Sequence, residues 1–253
     1  MATGGLANVL YEVFLANMSL YVIIWSLLLL RFYFFPHTFK ASFLHPTESL
    51  FVPATIVSLG TILINISQYG PPHAGEWLNH AVIVLFWFYI ALAVTSSAGI
   101  YLVLWSTQSF TIAQMTPIWI FPAYPMLITG PYASALSAKL PQPNAWRIII
   151  GGVTIQGIGF LVSMMVYSAF IYRLMTQKLP KENLRPGMFV SVGPSGFTAA
   201  GLIGMGKAAH RAVPTGFLGD GALTAKIMSV TAYFASLWIW GYVSHNLIGP
   251  ALH

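Results

Sequence analysis

Acid–base chemistry near neutral pH needs an imidazole or a perturbed carboxylate held beside a partner, and one stretch offers both: His45-Pro46-Thr47-Glu48-Ser49. Thr47 or Pro46 would start a helix there, placing Glu48 in the first turn, where the helix dipole favours a carboxylate. Two readings follow. Glu48 is a capping residue with a solvated His45 beside it, or the two are a proton-sensing or gating pair. Asn65, Gln68 and Gln156 place carboxamides deep among apolar residues. Such groups serve interhelical hydrogen bonds or face a wet passage.

Other chemistries are missing their parts. Val192-Gly-Pro-Ser-Gly-Phe-Thr198 resembles a nucleophile elbow, but its second glycine comes one place too early, and no acid or base stands nearby in sequence. The chain has no cysteine, which excludes disulfides and thiolate chemistry. Its seven histidines show no metal-ligand spacing on one helix face. The sequence therefore predicts no enzyme, no catalytic residue, no metal site and no cofactor.

The elements that must position these residues are apolar helices. Of 253 residues, 57% are hydrophobic and 6% charged, and the mean hydropathy is +0.75. A soluble domain carries about 25% charged residues. Folded in water, this chain would expose apolar patches that soluble monomers avoid. The expected class is all-α, a polytopic transmembrane helix bundle forming a single domain over 1–253. The net charge of +6 is small and scattered; it predicts basic loops at anionic lipid headgroups and no nucleic-acid face.

Seven apolar stretches are each long enough to cross a membrane, at about 20 residues per crossing: roughly 17–35, 46–69, 80–105, 115–138, 148–174, 187–210 and 222–248. Residues 1–16 read as the stub of a further helix. The sequons at Asn17 and Asn65 fall inside spans, out of reach of glycosylation. Two kinds of span alternate. Segments 46–69, 115–138 and 187–210 contain proline (Pro53; Pro122 and Pro125; Pro194) and hydroxyl residues such as Thr55, Ser58, Thr61, Ser195 and Thr198. The other four have no interior proline. An interior proline frees a backbone carbonyl that lipid cannot satisfy. The alternation predicts an inner ring of kinked helices inside an outer smooth ring, around a pore or transport path. Loops with Arg31, Lys40, Arg173, Lys178, Lys181 and Arg185 oppose loops with Lys139, Arg147, Lys207, Arg211 and Lys226. The dense 173–185 cluster favours the first set as cytoplasmic.

Several ordered stretches carry a family resemblance: Met1-Ala-Thr-Gly-Gly5, Lys40-Ala-Ser-Phe-Leu-His-Pro-Thr-Glu-Ser-Leu-Phe51, Thr116-Pro-Ile-Trp-Ile-Phe-Pro122, Gly157-Ile-Gly-Phe160, Tyr172-Arg-Leu-Met175 and Leu184-Arg-Pro-Gly-Met-Phe-Val-Ser-Val-Gly-Pro194. The chain resembles the tellurite-resistance/dicarboxylate transporter family, which is slow-anion-channel-like, and within it the fungal malic acid transport proteins. The resemblance implies ten helices in five hairpins, with odd-numbered helices lining a central pore, in a homotrimer. It also implies passage of small organic anions such as malate, in a multi-pass protein of the plasma membrane. Pro53, Thr61, Phe121, Pro122, Pro125, Pro194, Phe197 and Thr198 become pore-lining candidates. Against the family pattern, this chain has an abbreviated first helix and lacks the last two, including the one that carries the gating phenylalanine in relatives. The alternatives are a non-conducting membrane protein or interface subunit of a complete relative, and an exporter of sulfite or another inorganic anion.

Overall fold

The computed structural model describes residues 11–45, 48–177, 179–180 and 182–251. Residues 1–10 of the expected stub, the Pro46-Thr47 helix start, Lys178 and Lys181 lie outside them.

The described residues form an all-helical bundle with six helical spans long and apolar enough to cross a membrane. Helix α1 runs Tyr11–Phe34, the short α2 His37–Leu44 and α3 Glu48–Phe51; α4 runs Ala54–Tyr69, the short α5 Pro71–Ala74 and α6 Glu76–Thr107. Then come α7 (Tyr124–Ser137), α8 (Asn144–Gln177), α9 (Val192–Ala212) and α10 (Gly221–Ala251). The stub and the first full span are not separate: α1 is continuous from Tyr11, because nothing between Tyr11 and Phe34 is a glycine or proline able to break it.

The 115–138 stretch is helical but divided. A 3-10 run, Pro117–Ala123, leads into the 14-residue α7. Seven residues at about 2.0 Å and fourteen at about 1.5 Å give roughly 35 Å, still enough to cross hydrocarbon. The prolines explain the division. Pro53 is the N-cap of α4, Pro125 sits in the first turn of α7 and Pro194 in the first turn of α9, which a second 3-10 run, Glu182–Ser191, precedes. Each missing N–H therefore falls where a helix has no intrahelical acceptor for it. At these three prolines the spans are broken and restarted rather than kinked mid-helix; Pro131 alone of the inner α-helical prolines lies in a helix interior, that of α7.

Burial separates the two kinds of span. The most apolar window of the broken spans 48–69 and 185–212 is 50% and 44% buried, against 11%, 28%, 33% and 17% for the smooth spans containing α1, α6, α8 and α10. Every residue from Phe121 to Gly130 is buried. Helix α7 is the hub, packed against α4, α6, α8 and α9, while α10 pairs chiefly with α9. The smooth helices turn large apolar side chains outward, among them Val22, Leu27, Trp105, Leu161 and Trp238, as lipid allows and water does not.

Arg173 departs from its expected place among the loop cations. Helix α8 runs on to Gln177, so Arg173 lies in its last turns, buried, with Nε and Nη2 donating to the Ala113 carbonyl at 3.2 and 3.1 Å.

Candidate functional site

The proline breaks leave backbone carbonyls without donors, and tyrosines supply three of them. The two carbonyls that the absent N–H of Pro194 would serve are those of Val190 and Ser191, four and three residues earlier. Tyr124 Oη donates to the first at 2.5 Å, and Tyr167 Oη donates to the second. Trp119, three residues before Pro122 in a 3-10 run, receives Tyr101 Oη at 3.0 Å. Tyr89 Oη donates at 3.0 Å to the carbonyl of Pro125 itself, which no proline orphans, and ties α6 to the first turn of α7. Three of these donors stand on smooth helices: Tyr89 and Tyr101 on α6, Tyr167 on α8. Gly193 makes the Tyr124 bond possible, since a Cβ there would collide with the Tyr124 hydroxyl. Sequence reasoning missed these tyrosines. The signal available was a demand for donors, not an address for them.

Aromatic rings bridge the same breaks. Phe51, just before the α4 break, lies 5.0 Å from Phe121; Phe121 stacks on Tyr124 at 4.9 Å and 16°; Tyr124 meets Phe197 edge-on at 6.1 Å and 87°. These geometries are favourable for ring quadrupoles. The bridge ties α3, the run before α7, α7 itself and α9 together at one level. Of the sequence candidates, Phe121 and Phe197 belong to it, each in contact with Tyr124. Pro53, Pro122, Pro125 and Pro194 are buried at the breaks. Thr198 is buried and donates to the Pro194 carbonyl at 2.7 Å.

Thr61 lies elsewhere, on a cavity of about 400 Å³ between α1 and α4. Thr55, Ser58 and Thr61 line it from α4, opposite Asn17, Tyr21 and Trp25 of α1. The three hydroxyls donate back to their own helix at 2.8 Å each, to Val52, Ala54 and Ser58. Their oxygen lone pairs are left for the cavity. Ala54 and Thr55, at the start of α4, also line it, so the positive end of the α4 dipole opens beside the space. No lysine or arginine is among the lining residues.

His45 and Glu48 stay outside this assembly. Both are exposed, and the Glu48 backbone N–H donates to His45 Nδ1 at 3.3 Å. The imidazole thus caps the turn that Glu48 begins. At the other end of α4, the Lys139 ammonium donates to the Ser67 carbonyl at 3.1 Å and to that of Gln68, a favourable place for a cation. Desolvation lowers its pKa from the ordinary 10.5. The deep carboxamides do not make the expected interhelical bonds: both polar atoms of Asn65 and Gln156, and Gln68 Oε1, have no partner among the described residues. Ser195 Oγ, buried just after Pro194, is likewise without one. No group of three or more His, Cys, Asp or Glu able to hold a metal occurs among the described residues.

Apolar crossing helices around a broken inner set define an integral, multi-pass membrane protein. The chain belongs to the voltage-dependent anion channel (SLAC1) family, whose model matches residues 1–248. It is 29% identical to a malic acid transport protein of Schizosaccharomyces pombe over 94% of this chain and 54% of the relative. A putative malic acid transport protein of the same yeast is 28% identical over 90% of this chain and 53% of its own length. The sulfite efflux pump SSU1 of Trichophyton rubrum is 22% identical over 94% and 64%. The chain thus spans about half the length of the two malic acid transport proteins it matches.

Proposed function

We propose that this chain moves small organic anions, malate or another C4-dicarboxylate, across a membrane along its proline-broken helices. The observation that carries the reading is the cavity of about 400 Å³ on α4, within the size range of small-molecule sites. The start of α4 opens on it, while the hydroxyl row, its protons given to backbone carbonyls, makes the wall wettable rather than binding the anion. A helix start supplies positive potential without a fixed cation, which suits passage of an anion better than its tight retention. The aromatic bridge does not line the cavity, but Phe51 stands just before the same helix start, and on this reading the bridge is the constriction. Two malic acid transport proteins among the relatives support an organic over an inorganic anion. The sulfite pump supports the opposite at lower identity.

The test is uptake of labelled malate and labelled sulfite by liposomes containing the purified chain, with and without a pH gradient. Malate uptake above empty vesicles, and above sulfite, supports the proposal. Sulfite uptake alone points to inorganic anion efflux. Uptake of neither shows a non-conducting chain and sinks it. Phe121→Ala opens the bridge and is expected to raise malate flux several-fold. The same reading makes 1–253 one transporter domain, assembled as a homotrimer in the plasma membrane. Light scattering of the detergent complex and imaging of a tagged chain check those two points.

A further inference from the structure

The deepest stripe of α8 comprises Ile148, Ile149, Gly152, Gln156, Gly159, Ser163 and Tyr167, all buried. All but one suit a dry contact between helices. Gln156 is 2% exposed, and neither its Nε2 nor its Oε1 has a hydrogen-bond partner among the described residues. Two glycines on two broken helices surround its tip. A Cβ on Gly130 of α7 would coincide with Oε1, and one on Gly201 of α9 would lie 2.5 Å from it. The Gly201 Cβ would also lie 2.9 Å from the Gly130 carbonyl carbon, so the two backbones touch where they cross. The smooth helix thus pushes an amide into the crossing point of two inner helices, and both glycines are needed to admit it.

Packing alone does not account for this. A methionine would fill nearly the same space without the cost of stripping water from an amide. Hydrogen bonding between helices does not account for it either, since no bond is made. Arrangements that cost stability without local return collect at functional sites.

We infer that Gln156 is a mid-membrane hydrogen-bonding contact for the transported solute, a small organic oxyanion. It is reached when the Gly130–Gly201 crossing of α7 and α9 opens. The inference rests on the transport reading above. The amide N–H groups donate to an anionic oxygen, and Oε1 accepts from a hydroxyl or protonated carboxyl of the same molecule. A bare inorganic ion lacking an O–H uses only half of this pairing, so the contact favours hydroxy acids. At Gly130 and Gly201 the backbones of α7 and α9 meet with no side chain of either helix between them, which makes this point of the crossing the natural place for them to part.

The experiment compares the wild-type chain with Gln156→Met and Gln156→Glu. It measures malate uptake by liposomes and the melting temperature in detergent with and without malate. Gln156→Met is expected to melt at or above the wild-type temperature. It should raise the KM for malate about tenfold and lose the malate-induced rise in melting temperature. Gln156→Glu should take up malate at acid pH and lose uptake as the carboxyl ionises. Wild-type kinetics in Gln156→Met overturn the inference while leaving the transport reading intact. A wild-type chain that takes up nothing but is still stabilised by malate, with that effect lost in Gln156→Met, sinks transport and keeps the contact. Melting temperatures well below wild type in both variants show a structural amide and overturn the inference.

Discussion

At the scale of single residues, stability at the breaks rests on hydroxyl groups with one assigned carbonyl each. Tyr124→Phe keeps the ring stacked on Phe121 and removes only the donor to Val190. A buried carbonyl left without a partner costs about 1–3 kcal/mol. The variant should therefore unfold at lower denaturant or temperature in detergent, with helical circular dichroism unchanged before the transition. Gly193→Ala pushes the same hydroxyl away from the other side and should cost at least as much. A Gly193→Ala variant as stable as the wild type would show that the Tyr124 bond is dispensable. None of this was legible in the sequence. Pro194 announced that a carbonyl would be orphaned, but Tyr124 and Val190 are 66 positions apart. The chain also has 12 tyrosines, which suit membrane interfaces as well as interiors. Gln156 was visible as an amide at depth; its lack of a partner depends on three helices meeting and could not be read from one.

At the scale of elements, the helix starts are the informative points. Apolar runs located six spanning helices and the divided 115–138 stretch, and proline marked the inner ones, because both signals are local. The form of the breaks was not legible: the sequence suggested kinks, whereas Pro53, Pro125 and Pro194 each begin an α-helix. If a break and its tyrosine cap are one unit, their substitutions must interact. Pro194→Ala restores a backbone N–H four residues after Val190. It should return part of the stability lost in Tyr124→Phe, with a coupling of about 1 kcal/mol in a double-mutant cycle; simple additivity would count against this pairing. Lys139 closes the other end of α4. Its folded-state pKa lies below the ordinary 10.5, so between the two values the unfolded chain holds more protons. This group's contribution to stability therefore rises with pH across that window. Lys139→Met should flatten that alkaline rise in an unfolding titration.

At the scale of the whole molecule, the two helix classes assign each surface a solvent. Buried fractions of 50% and 44% on two broken spans, beside 11% on the first, mean that lipid meets mainly α1, α6, α8 and α10. The absence of native cysteine makes the crossing pattern directly measurable. Gln142→Cys, in the α7–α8 connection, and Thr176→Cys, at the far end of α8, should react with an impermeant thiol reagent from opposite sides. The 173–185 charge cluster predicts that Thr176→Cys reacts only after the membrane is opened. Labelling of both from one side would overturn the span assigned to α8.

The tyrosine caps also have a direction in time. Each donor precedes its acceptor along the chain: Tyr89 before Pro125, Tyr101 before Trp119, Tyr124 before Val190 and Tyr167 before Ser191. A chain made from its N-terminus delivers the donor first. When the broken segments around α7 and α9 leave the ribosome and enter the membrane, the hydroxyls for the Trp119, Val190 and Ser191 carbonyls are already in the bilayer. These two broken segments thus follow helices equipped to receive them.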